Sequence, residues 1–63
     1  MMTKITFQDG NTALYRWDGF ISKETMANAG LINESDVWQE TIVDVKLGSS
    51  VVGVTNDAFK NCT

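Results

Sequence analysis

The chain has 63 residues, with eight acidic and five basic side chains giving a net charge of −3, no histidine, no proline and one cysteine. This bounds it to one small domain without a disulfide framework, and it removes the commonest general base and metal ligand. No run is apolar enough for a membrane span, no signal-peptide pattern follows Met1, and the mild acidic excess argues against nonspecific nucleic-acid binding, which needs clustered Lys and Arg.

Residues 3–8 alternate, with Ile5 and Phe7 against Lys4 and Thr6, and the turn signal Asp9-Gly10-Asn11 follows. Residues 12–17 alternate again, so the segment reads as a hairpin. A three-residue loop with Asn11 left-handed pairs Phe7 with Ala13, Ile5 with Tyr15 and Thr3 with Trp17, building an apolar-aromatic face. A two-residue Asp9-Gly10 loop pairs Ile5 with Leu14 instead. The first is preferred because it leaves fewer aromatics exposed.

Asp18-Gly19 breaks the strand, and a helix is expected over 23–29. Ser22 is a good N-cap, Glu24 sits in the first turn, and Ile21 with Met26 fits a hydrophobic staple. Gly30 suits the left-handed C′ position, with Leu31 folding back on the last turn. Two helical turns are unstable alone, so this helix must dock through Ile21, Met26, Ala29 and Leu31. Asn33 to Asp36 is a polar connector, in which Asp36 and Gln39 could cap a helical turn before the next strand.

The stretch 38–55 reads as a second hairpin around Gly48-Ser49, a type II′ turn with glycine at the left-handed position. That register opposes Val45 to Val52 and Val43 to Val54. One face then collects Val43, Val45, Leu47, Val52 and Val54; the other carries Trp38, Glu40, Ile42, Asp44 and Lys46, with Val51 and Gly53 from the returning strand. After Thr55, Asn56 or Asp57 can cap a short turn carrying Phe59 into one end of the core. Cys62 reads as an idle thiol near a fraying end. Asn33-Glu34-Ser35 and Asn61-Cys62-Thr63 match the glycosylation pattern, read as chance without a secretion signal. The expected fold is α+β: a four-stranded, mainly antiparallel sheet from two β-hairpins with one short helix on one face (β-β-α-β-β), within a single domain spanning 1–63. A barrel-like closure of the same strands is the alternative.

Function is less legible. Gly48-Ser49-Ser50 lacks the lysine and helix of a phosphate loop. Glu40 and Asp44 share a strand face but lack the converging oxygens of a hard metal site. A helix-turn-helix over 23–42 would have 36–42 as its recognition helix, presenting Asp36 and Glu40, and no Lys or Arg, to phosphates. No catalytic residues, cofactor or metal are therefore expected. Aromatics and arginine dominate binding hot spots, and Arg16 lies between Tyr15 and Trp17. Trp38 reads either as core or as an interface anchor. A chain this short buries only about 60% of its unfolded surface, so hiding both sides of a sheet favours a partner. The expectation is a noncatalytic protein-binding module that occludes a surface of a larger protein or complex through Trp38, Glu40, Ile42, Asp44, Tyr15 and Arg16, or else forms a homodimer. Neither membrane nor direct nucleic-acid binding is expected.

In size, acidity and lack of catalytic equipment the chain is similar in kind to phage-encoded anti-defence inhibitors such as anti-CRISPR proteins. That resemblance implies inhibition by blocking a target surface, in the host cytoplasm, and transfers no residue roles. The rival classes are a small-molecule or nucleotide-binding module at an oligomer interface and a small DNA-binding regulator.

Overall fold

A computed structural model describes residues 1–62. The strands are β1 (Thr3–Phe7), β2 (Thr12–Tyr15), β3 (Gly19–Ile21), β4 (Ile42–Lys46) and β5 (Val51–Val54), with one helix, α1 (Lys23–Asn28). They do not make one four-stranded sheet. Sheet A has three antiparallel strands in the order β2-β1-β4, and sheet B is a parallel pair, β3-β5.

The first hairpin forms in a third register. Thr3 pairs with Tyr15, Lys4 with Leu14, Ile5 with Ala13 and Thr6 with Thr12. The Phe7 N–H donates to the Asn11 carbonyl, and Gly10, not Asn11, takes the positive φ, 91°. Glycine enters that region without steric cost. Relative to the preferred pairing the register moves by two residues, which preserves side-chain parity. Thr3, Ile5, Phe7, Ala13 and Tyr15 therefore still share a face, and Thr3, Ile5 and Phe7 on it are buried.

The second hairpin does not exist. β4 pairs with β1, opposing Val45 to Ile5 and Ile42 to Phe7, while β5 crosses to lie beside β3. The proposed turn glycine is engaged elsewhere. Gly48 is not left-handed; it is buried under the Met1-Met2 backbone, and its N–H donates to the Thr3 hydroxyl at 3.0 Å. Gly19 makes the other exit. With φ 75° it turns the chain out of sheet A, and its N–H donates to the Ser50 carbonyl. The Thr55 N–H donates to the Ile21 carbonyl at the far end of the parallel pair.

The valine layer is overturned with the hairpin. A bulge inserts Val43 between Asp44, opposite Thr6, and Ile42, opposite Phe7. Ile42 and Val45 therefore both pack on the core, whereas Val43 and Leu47 are 59% and 51% exposed. An extra residue shifts side-chain alternation by one. On β5, Val51 packs on the core and Val52 and Val54 are exposed.

Helix α1 follows its punctuation. The Ser22 side chain accepts from the Thr25 N–H, the Thr25 hydroxyl accepts from the Ser22 N–H, and Ala29 is the C-cap. Gly30 follows at φ 76°. Ile21, Met26 and Leu31 are buried in one cluster with Ile5, Phe7, Ile32 and Ala58, and Ala29 packs against it. The turn expected at Asp36 is absent. Asp36 adopts φ 61°, and the Asn33 side-chain oxygen accepts from the Ser35 and Val37 N–H groups, closing a tight loop that bridges Ile32 to Trp38. Asn side chains stabilise such turns by imitating a backbone carbonyl. The C-terminal segment makes successive turns that bury Ala58 and lay Phe59 on the core. The last residue of the Asn61-Cys62-Thr63 triplet lies outside the described residues. Among the described residues no helix is long and apolar enough to cross a membrane.

Candidate functional site

The six residues singled out from the sequence do not form one patch. Trp38 lies before β4, not on a sheet face. Its indole N–H donates to the Lys60 carbonyl at 2.8 Å, and its ring lies parallel to that of Phe59, 6.1 Å away. It is half-buried and packs against the core, so the C-terminal turn is what covers it. A depression beside it is lined by Lys23, Asp36, Asp57 and Lys60. Lys23 and Asp36 form an ion pair across this depression at 2.6 Å. Both side chains are about half exposed, which limits such a pair to about 0–1 kcal/mol. Asp57 accepts from the Thr55 hydroxyl; that bond, helped by Lys23, holds its carboxyl below the ordinary carboxylate value.

Tyr15 and Trp17 stack with ring centroids 4.5 Å apart and planes 11° from parallel. Offset stacking at this distance suits two aromatic quadrupoles. Both rings are half-buried against the core, and Arg16 between them points outward. Burial pushes the Tyr15 phenol above its ordinary value, and the negative charge of Glu40 adds to that. Glu40 itself is exposed and lines a shallow depression with Gln8 and Thr41. Ile42 and Asp44 are brought together along a groove beside β4 that Phe59 and Cys62 complete. The bulge separates their roles: Ile42 packs inward, and Asp44 is exposed.

Two arrangements escaped the sequence reading. On sheet B, Phe20, Val52 and Val54 are 66%, 73% and 39% exposed. The Phe20 ring lies where a side chain on Gly53 would stand, with Cε1 2.8 Å from the position of that Cβ. A glycine inside a strand run signals this kind of close approach, and Gly53 was the available clue. On sheet A, the pairing opposes Lys4 directly to Lys46 on the exposed side, with Leu14, 58% exposed, on the other flank of Lys4. Like charges directly opposite each other destabilise a strand pair.

Comparison with protein-family models, with curated proteins and with solved structures gave no match. The site must therefore be judged on its chemistry. Among the described residues no three Cys, Asp or Glu side chains converge as metal ligands. The carboxylates of Glu40, Asp44 and Asp57 line three different depressions. What the surface offers instead is apolar area and an open strand edge.

Proposed function

We propose that this chain is a noncatalytic binding module that works by occupying a surface of a larger protein. The observation that carries the reading is sheet B, whose seven residues include three large apolar side chains held in water: Phe20, Val52 and Val54. By the register Phe20 shares its face with Gly53 while Val54 shares the other with Ile21, so both sides of the pair expose apolar area. Exposed apolar area of this kind on a small domain marks interaction sites. Phe20 suits an anchor, because its ring rests on Gly53 and loses little freedom on docking. The acidic balance of the chain favours a partner with a basic rim, which would speed encounter. Relative to the sequence expectation, the docking surface moves from Trp38 to sheet B, since the C-terminal turn already covers Trp38.

The test is affinity capture from the native host with the wild type and with the folded variants Phe20→Ser and Val52→Asp. A stoichiometric protein retained by the wild type and lost by both variants supports the reading. Equal retention by all three, or a captured species that is nucleic acid, overturns it.

A further inference from the structure

Among the described residues strand β4 is an edge of sheet A, paired on one side only, with β1. An open edge is a template for another strand unless something blunts it. Which backbone groups face outward follows from the ladder. The Phe7 N–H donates towards β2, to Asn11, and the Gln8 N–H donates towards β4, to Thr41. Residues of a central antiparallel strand bond alternately to their two neighbours. Lys4 and Thr6 therefore bond to β4, through their partners Lys46 and Asp44. Val45 lies between those two, so its N–H and C=O point to the open edge.

We propose that two copies of this chain pair antiparallel along β4, about a two-fold axis at Val45, forming one continuous six-stranded sheet. A two-fold interface brings the same strand against itself, so its register is defined by the residue on the axis. With Asp44 on the axis, two carboxylates oppose each other. With Lys46 on the axis, two ammonium groups do. With Val45 there, Asp44 opposes the partner's Lys46 twice and Val43 opposes the partner's Leu47 twice. The two Val45 residues then exchange a pair of N–H···O bonds. Of these three registers it alone has complementary charges, and it covers Val43 and Leu47, which are 59% and 51% exposed in the lone protomer. It also supplies a carboxylate to Lys46, which within its own protomer faces only Lys4 across the ladder. The ladder stops at Leu47, because Gly48 is buried beneath Met1 and Met2. This pairing uses no residue of sheet B, so it is independent of the docking reading above.

The charge pattern supplies the test, read by sedimentation equilibrium with circular dichroism as the check on folding. The wild type should sediment at twice its 7.0 kDa chain mass. Asp44→Lys and Lys46→Asp each turn both cross-pairs into like charges and should weaken association on the order of tenfold or more. Mixing these two variants should restore a dimer, because each then supplies the charge the other lacks; the double variant D44K/K46D should dimerise by itself. A wild type that stays at its chain mass at the highest soluble concentration overturns the proposal. So does a dimer insensitive to both single changes, or folded variants that fail to associate when mixed. Should one single variant not fold, the double variant decides: recovery of the dimer supports the register, and a folded monomer rejects it.

Discussion

The Thr3 hydroxyl accepts the backbone N–H of Gly48 at 3.0 Å in a fully buried position, tying the first strand to the loop that leaves the last strand of sheet A. This bond replaces the tight turn that Gly48 was expected to make. Thr3→Val keeps the shape and strands the Gly48 N–H, which costs about 1–3 kcal/mol for a buried unsatisfied donor. Thr3→Ser keeps the acceptor and loses a methyl, about 1 kcal/mol. In a domain of this size each kcal/mol lowers the melting temperature by about 4–8 °C. Valine should therefore melt below serine in thermal denaturation, and the reverse order would remove the bond from the account.

Trp38 offers a second separation of terms. Trp38→Phe retains a ring beside Phe59 and loses the bond to the Lys60 carbonyl, for about 0.5–1.5 kcal/mol. Trp38→Ala removes the ring as well and should cost about 3–5 kcal/mol at most, less for its half-exposure. Chemical denaturation of both variants reads the difference. Equal stabilities would show that the stacked ring contributes nothing.

The Lys4–Lys46 pair predicts a stabilising surface change. Lys4→Glu converts a like-charge pair into an opposite one, worth about 0.2–1 kcal/mol, near the lower end because both side chains are exposed. The gain should appear as a higher urea midpoint at low salt and shrink as salt is added. A gain that persists unchanged at high salt would point to a cause other than charge.

Tyr15 sets an alkaline limit. Its folded pKa is raised above 10.0, first by burial and then by Glu40. The neutral phenol is the form the fold favours, so this contribution is fully present below the unfolded value and is lost as pH rises through the folded one. Glu40→Gln removes the second cause, and phenolate absorbance should then titrate at lower pH than in the wild type. An unchanged curve would separate Glu40 from the ring.

The sequence and the structure agree where local rules decide. The cap at Ser22, the glycine at Gly30 and the staple of Ile21 with Met26 are short-range features, and α1 forms where they place it. The first hairpin kept its buried face because parity survives a two-residue shift. The second hairpin failed for long-range reasons. Its turn looked sufficient locally, but Thr3 and the Met1-Met2 backbone, far away in sequence, claim Gly48. No periodicity shows that β5 pairs parallel with β3, nor that Val43 bulges and returns Ile42 to the core. The same events dispersed the candidate site: Ile42 turned inward, Trp38 left the strand, and Phe20, given no role in the sequence, became the most exposed aromatic ring.

The parallel contact between β3 and β5 also dictates the order of assembly. Such neighbours cannot be joined by a tight turn, and here α1, the Asn33 loop and all of β4 intervene. During synthesis the first hairpin can close as soon as Tyr15 clears the ribosome, whereas Ile21 must wait until Val54 has emerged. Until then β3 has no strand neighbour, and its Phe20 is open to chaperones and to mispairing.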